Sequence, residues 1–360
     1  MLQIKSKVHD YSVIFENSIK DSLRNAAHNN RSFFLVDNNV HTLYQTSFAV
    51  IGNAPRLFLI DAIEENKSYE KIEPVFHWLL ENGFQKDCTL IVVGGGITQD
   101  VGCFVSTVLF RGAQWRLIPT TLLAQGDSCI GSKSSINIGR FKNQLGSFYP
   151  PHSVHLSFDV LETLSEEAVF SGLGEIIKLS LLSSEEDFKK TKLLLQKLPK
   201  LSNARASFPT LVKDALIIKK RFIEVDEFDR GVRNILNYGH TFGHAIESAS
   251  HYKIPHGLAV TLGMMCATFF SEKLGFISSL HAEEVTQTLF PICKGSIPTL
   301  LNTNITDVLL AMKHDKKNTA GKINCILTRG FGKMERVPLD LNKEVAPYLE
   351  EFINGLSTLI

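Results

Sequence analysis

Four short apolar runs, Ser32–Val36, Arg56–Ile60, Thr89–Val93 and Trp115–Pro119, alternate with stretches of helical spacing through the first half of the chain. Short β-rich runs that alternate with helices predict parallel strands joined by helical crossovers and buried on both faces. Between the second and third runs, Tyr69, Ile72, Val75, Phe76, Leu79 and Leu80 fall on one helical stripe, so residues 68–83 read as a crossover helix. After Pro150-Pro151 the pattern changes: 161–182, 210–225, 234–251, 257–274 and 281–290 all read as helices, and a strand signal returns only at 322–327. The expectation is an α/β domain over residues 1–155 followed by a mostly α-helical domain over 156–360, and 360 residues suffice for two cores. The charged, leucine-bearing stretch 189–200 reads as a solvated helix face.

Lys and Arg total 38 against 37 Asp and Glu, so no global field recruits nucleic acid or an anionic membrane, and an anionic ligand must be held by a local cluster. The six cysteines are scattered and form no CxxC, which predicts reduced thiols without disulfides or a cysteine metal site. Met1-Leu2-Gln3-Ile4-Lys5 is not a basic segment leading into an apolar one, and no apolar run approaches membrane-spanning length. A soluble cytoplasmic protein is expected.

The third apolar run passes into Gly94-Gly95-Gly96 and then a helix-like stretch from Val101 to Phe110. Strand, glycine turn and helix start make a phosphate cradle, because backbone N–H groups and the helix dipole face the anion and no side chain blocks its approach. A tight turn without a ligand would use the same glycines. Two hydroxyls, Thr120 and Thr121, follow the fourth run. Beyond them Asp127, Lys133, Lys142 and Asn143 lie among glycines and serines, and this reads as a polar, flexible, phosphate-friendly loop. Asp37-Asn38-Asn39 at a strand end suits a ribose contact or, equally, an ordinary Asx turn.

In the second half His240 and His244 stand four residues apart, on one face of a helix, and His256 follows after a turn at Pro255. Three imidazoles suffice for an open catalytic metal site, whereas the same histidines beside glycines would also serve as helix-packing residues. Glu175, with Lys178 one turn on, could add a carboxylate to give a Glu/His/His site, or form only a surface ion pair. Lys219 and Arg233 precede Asn237 and the histidine run, a set that suits a substrate carrying carboxylate and phosphate. His314-Asp315-Lys316-Lys317-Asn318 reads as a polar turn.

Four blocks together resemble 3-dehydroquinate synthase and its relatives, the sugar phosphate cyclases: Gly94-Gly95-Gly96 with Asp100; Pro119-Thr120-Thr121-Leu122 through Lys142-Asn143; Gly172-Leu173-Gly174-Glu175-Ile176-Ile177-Lys178; and Leu236–Glu247 with Pro255-His256-Gly257. The resemblance implies a Rossmann-like NAD-binding domain, an α-helical metal-binding domain and a homodimer. It implies Glu175, His240 and His256 as ligands of zinc or cobalt, which moves His244 from the metal to the substrate phosphate. NAD contacts are implied for Asp37, Asn39, Glu64, Lys67, Gly95, Gly96, Asp100, Thr120, Thr121, Lys133, Lys142, Leu161 and Thr163. Contacts to a sugar phosphate are implied for Asp127, Lys133, Asn143, Lys178, Lys219, Arg233, Asn237, His244 and Lys316, with Arg111 reaching across the dimer. The implied reaction is a redox-neutral ring closure of 3-deoxy-D-arabino-heptulosonate 7-phosphate: NAD oxidises a ring alcohol, phosphate is eliminated, hydride returns, and an aldol step closes the carbocycle. An alternative is a cyclase for another sugar phosphate such as sedoheptulose 7-phosphate. A metal-dependent polyol dehydrogenase is a further rival, although it would not need so lysine-rich a pocket.

Some positions depart from the family pattern. Gln99 stands where glycine precedes Asp100, and Ile63 where glycine is usual near Lys67. Gly131-Ser132-Lys133-Ser134 replaces Gly-Gly-Lys-Thr, Gly257-Leu258 replaces Gly-Glu, and Ser165-Glu166-Glu167-Ala168 replaces Pro-x-Arg-Glu. These changes point to a divergent branch, while Arg233, Asn237, His244 and Lys316 match the set that handles the heptulosonate.

Overall fold

The structure is a computed structural model that describes residues 1–27, 31–51, 56–139, 141–196, 205–313 and 322–357. Its strands in chain order are β1 (Leu2–Ile4), β2 (Tyr11–Phe15), β3 (Ser32–Asp37), β4 (Leu57–Ile60), β5 (Thr89–Gly94), β6 (Gln114–Pro119), β7 (Lys133–Ile138), β8 (Phe141–Phe148), β9 (Ser153–Leu156), β10 (Lys322–Thr328) and β11 (Met334–Asp340). Each of the four apolar runs is a strand. They sit in one sheet of order β1-β2-β9-β6-β5-β3-β4, parallel throughout except for the antiparallel β1/β2 edge. Every residue of β5 is buried, as a strand covered on both faces requires. The expected crossover helix spans Tyr69–Glu81 and turns Ile72, Val75 and Leu79 inward.

Contacts divide the chain into two compact units, Met1–Ser165 with Phe208–Gly231, and Glu166–Ser207 with Val232–Ile360. The first unit is therefore not one continuous stretch. Helix Phe208–Val225, expected in the second domain, joins the first: Lys219 pairs with Asp127, and Glu224 accepts the Lys5 backbone N–H at 2.7 Å. The stretch read as a flexible loop around Lys133 and Lys142 is the antiparallel hairpin β7–β8, in which Ser134 and Ile136 are buried. Its serines, asparagines and lysines hide a strand period that pairing imposes.

The second unit is helical, as expected. Helices Glu166–Ser183, His240–Ala249 and Ser279–Cys293 pack around His256–Lys273, which is buried nearly all round and so reads as the core helix. The antiparallel pair β10/β11 and helix Ala346–Leu356 complete the unit. Residues 189–195 of the charged stretch belong to helix Glu185–Leu195, capped by Ser184, whose Oγ accepts the Asp187 N–H, and residues 197–200 lie outside the described residues. All six cysteines are buried and lie outside any disulfide, and among the described residues no helix is long and apolar enough to cross a membrane.

Candidate active site

In the first unit, β5 ends at Gly94 and helix Gly96–Val108 begins after Gly95. A Cβ on Gly95 would lie 2.8 Å from Thr121 Cγ2, so the bare backbone is what lets the two turns close together. Thr120 is buried behind them, and Thr121 Oγ1 accepts the Ala124 N–H at 3.1 Å.

Beside this turn, five residues with separately expected contacts form one network. Lys67 is buried, donating to Asn143 Oδ1 at 2.9 Å and to Asp100 Oδ2 at 3.2 Å. Glu64 Oε1 lies 3.8 Å from the Lys67 ammonium and 3.4 Å from that of Lys142. Asn137, a residue not foreseen, ties them together: its Nδ2 donates to Glu64 Oε1 and its Oδ1 accepts the Asn143 N–H, each at 2.9 Å. Burial pushes Asp100 up to about 6, against the opposing pull of the Lys67 ammonium.

The other first-unit candidates lie in separate contacts. Asp37 Oδ1 accepts the Asn39 N–H at 2.9 Å, which makes Asp37 the cap of helix Asn38–Leu43 and an Asx turn. Burial raises its pKa. Leu161 is buried in the turn Asp159–Thr163, whose Thr163 hydroxyl meets the Tyr44 hydroxyl at 3.0 Å. Arg111 occupies an exposed turn of left-handed backbone.

Asp127 lies in the π-helical turn Ala124–Ser128, and the Lys219 ammonium is 2.6 Å from both its carboxylate Oδ1 and its main-chain oxygen. Gln99, flagged in sequence only as a departure, clamps the neighbouring residue: its Nε2 donates to the Ser128 carbonyl at 2.7 Å and its Oε1 accepts the Ser128 hydroxyl at 2.9 Å. Lys133 opens β7 and donates to Asp229 Oδ2 at 2.9 Å.

The metal-type cluster of the second unit is built on glycine contacts between helices. A Cβ on Gly174 would fall 2.7 Å from the Gly257 carbonyl oxygen, and one on Gly243 would fall 2.9 Å from Val260 Cα. These contacts set helix Glu166–Ser183 and helix His240–Ala249 directly against helix His256–Lys273, and so bring Glu175, His240 and His256 together. Gly239 precedes the second of these helices at φ +80, a left-handed position that glycine tolerates best.

Glu175 is 1 % exposed, and its Oε2 accepts from the buried Lys178 ammonium, so the surface ion pair weighed from sequence is excluded. Its Oε1 lies 3.6 Å from His240 Nε2 and 3.5 Å from His256 Nε2 and, among the described residues, accepts no hydrogen bond. Two donors of a tetrahedral zinc, each roughly 2.1 Å from the ion, stand about 3.4 Å apart. An orphaned anionic oxygen at that spacing from two imidazole nitrogens fits a divalent metal.

One donor nitrogen from each of His240, His244 and His256 also falls within 4.8 Å of the others, so His244 borders the same cluster from an exposed position. Burial, with the Lys178 charge, holds His240 well below the usual imidazole range and therefore neutral, as a metal ligand must be. Burial works against charge on His256, but Glu175 and Glu247 outweigh it and push it up to about 10. Burial also opposes ionisation of Glu175, which Lys178 and His256 overcome, holding the carboxyl below its usual range.

Glu247 was quoted in sequence but given no role; its Oε2 meets His256 Nδ1 at 3.1 Å, the carboxylate that fixes a ligating imidazole's tautomer and angle. Its signal was present in its place seven residues after His240, on the same helix face. Arg233 is buried, and Asn237 Nδ2 donates to the Asn234 carbonyl at 3.0 Å, both in the turn Val232–Asn237 that leads into the histidine helix. Lys316 lies outside the described residues.

A phosphate-type cradle on a parallel sheet and a Glu/His/His cluster in a helical unit define a class of two-part α/β metalloenzymes. The 3-dehydroquinate synthase N-terminal family matches residues 57–171 and the 3-dehydroquinate synthase C-terminal family residues 172–318, so the chain belongs to the 3-dehydroquinate synthase family. It is 36 % identical over 331 residues to 3-dehydroquinate synthase of Clostridium tetani, covering 91 % of this chain and 87 % of that protein. Its fold resembles that of a 2-deoxy-scyllo-inosose synthase complexed with carbaglucose-6-phosphate, NAD+ and Co2+, with a TM-score of 0.86 at 22 % identity over 98 % of this chain and 99 % of the other. It also resembles 2-epi-5-epi-valiolone synthase from Streptomyces hygroscopicus subsp. jinggangensis with NAD+ and Zn2+ bound, at a TM-score of 0.79 and 22 % identity, covering 96 % and 97 % of the two chains.

Proposed function

We propose that the chain is an NAD- and metal-dependent cyclase that converts 3-deoxy-D-arabino-heptulosonate 7-phosphate to 3-dehydroquinate and phosphate. The observation that carries this reading is the orphaned Glu175 Oε1 between the His240 and His256 imidazoles, with the buried Lys178 ammonium on the same carboxylate. Glu175, His240 and His256 would hold zinc or cobalt, and the network of Glu64, Lys67, Asp100 and Lys142, with Gly95, Gly96, Thr120 and Thr121, would hold NAD. When bound, the metal supplies a Lewis acid at a hydroxyl or carbonyl oxygen, and NAD supplies a reversible hydride acceptor.

The residues of the chain do the remaining work. Lys178 holds a positive charge next to the cluster, where it can stabilise an oxyanion that develops on the substrate. Lys219 is held on Asp127 with its ammonium fixed, and Asn143 is oriented by Lys67, so both enter the reaction with little orientation left to lose. His244, on the exposed border of the cluster, suits the phosphate, and Arg233 and Asn237 suit the carboxylate. A lysine-rich set of this kind distinguishes a phosphorylated substrate from an uncharged polyol.

The test incubates the purified protein with NAD, zinc or cobalt, and 3-deoxy-D-arabino-heptulosonate 7-phosphate, and follows phosphate release and the product by mass spectrometry. Phosphate and 3-dehydroquinate without net NADH are expected. No release, with NAD and metal both bound, would refute this substrate and make sedoheptulose 7-phosphate the next one to try.

A further inference from the structure

Glu227 is 4 % exposed in the first unit, in a crevice lined by Ile4, Tyr11 and Ile223. A carboxylate is rarely buried this deeply unless donors surround it. Its Oε1 accepts from the Ser6 hydroxyl at 2.7 Å and from the Ser132 hydroxyl at 2.8 Å, and its Oε2 accepts the Lys7 N–H at 2.6 Å.

Ser132 carries backbone strain, standing in the left-handed region at φ 65 directly after Gly131 at φ 107. A non-glycine residue persists there only where its surroundings over-determine it. Here the surroundings are the Glu227 carboxylate on its hydroxyl, the Tyr149 N–H on its carbonyl at 2.7 Å, and the Tyr11 hydroxyl accepting the Gly131 N–H at 3.0 Å. The next residue is Lys133, whose ammonium projects from the start of β7 to Asp229, two residues beyond Glu227. One short segment, 227–229, thus grips two successive residues, the first by its bend and the second by its charge.

We propose that Glu227 is a positioning residue: it holds Ser132 in the left-handed bend and thereby aims the Lys133 ammonium at the phosphorylated ligand. The inference rests on the reading of Lys133 as a ligand contact. Glu227 acts through Ser132: its bond to the Ser132 hydroxyl, with the Tyr149 N–H on the Ser132 carbonyl and the Tyr11 hydroxyl on the Gly131 N–H, fixes a bend that serine alone would abandon.

Two measurements separate this inference from the reading beneath it. Hydrogen–deuterium exchange of residues 129–135 needs no substrate: E227A and S132A should each speed it by about tenfold or more, the loss of roughly one hydrogen bond to a charged group. Unchanged exchange in both variants overturns the proposal whatever the substrate is. In the NAD- and zinc-loaded protein with 3-deoxy-D-arabino-heptulosonate 7-phosphate, S132A should raise KM about tenfold, and K133A at least as much. In the K133A background, S132A should add less than about twofold, because the two act through one ammonium. Full additivity overturns the proposal, and a K133A protein with unaltered KM overturns the Lys133 reading itself. Circular dichroism of each variant guards against unfolding, and S132A, which removes one oxygen, is the mild variant if E227A does not fold.

Discussion

Replacing Gly257 by alanine should dismantle the metal cluster without touching a ligand. A Cβ at this position would lie 2.6 Å from both the carbonyl carbon and the Oγ of Ser171, and closer still to the Ser171 carbonyl oxygen, where ordinary contact begins at 3.4 Å. Ser171 is backbone of the helix that carries Glu175, and Gly257 follows His256, so the two helices must part by about 1 Å. Metal ligand distances tolerate only about 0.2 Å, and the 3.5 Å between Glu175 Oε1 and His256 Nε2 is already that of a shared ion. Zinc affinity should fall by about a hundredfold or more, on the scale of a 1 Å misplacement, and the overpacking should cost roughly 1–3 kcal/mol of unfolding free energy. Competition with a chromogenic chelator measures the first and urea unfolding of the metal-free protein the second. G355A is the control, because a Cβ there meets nothing within 4 Å and the glycine sits in a helix. A G257A protein that binds zinc within about threefold of the parent would refute the claim that this contact sets the ligand spacing.

Two further outcomes follow from the first unit. Asp100 is held at about 6 instead of 3.8, so the folded protein binds the proton more tightly than the unfolded chain. Its contribution to stability is full below pH 3.8 and is lost as the pH rises towards 6; two units correspond to about 3 kcal/mol, an upper figure because a fifth of the side chain is exposed. Urea melts should show D100N gaining on the parent across this window, and a pH-independent difference would contradict the burial of Asp100. Gln99→Ala should cost about 1–2 kcal/mol, because the carbonyl and hydroxyl of Ser128 both lose their partner. An unchanged melt would show that the clamp does not matter.

The parts of the molecule that could be read in the sequence are those where local pattern and tertiary environment agree. The apolar runs that became β3, β5 and β6 owe their character to burial, whereas the edge strand β4 buries only Ile60 and was legible from its apolar residues alone; the run Leu236–Glu247 had glycines at the spacing that helix contacts demand. The hairpin β7–β8 was missed because lysine, serine and asparagine carry no strand signal; its strands pair with each other, and Asp100, Lys67 and Glu64 anchor it by side chains from elsewhere. The edge strand β1 and its neighbour β2, three and five residues long, are too short to show a period. In the site, Glu175 with its two histidines was legible from a motif, whereas Asn137, Glu227 and Glu247 act through partners distant in the chain, and single residues carry no such address.

The discontinuity of the first unit bears on the order in which a ribosome delivers its parts. All the strands of the first sheet leave the tunnel before Lys219, Glu224 and Glu227 have been made, and helix Glu166–Ser183 of the other unit is translated in between. Until that later helix emerges, Asp127 has no ammonium beside it, the Lys5 amide has no carboxylate, and nothing on the Ser132 hydroxyl supports its left-handed bend. A chain truncated after residue 165 and released from the ribosome would therefore hold a sheet whose cofactor-side network can close while the bend before β7 stays unset. Synthesis itself would make the cradle before the grip.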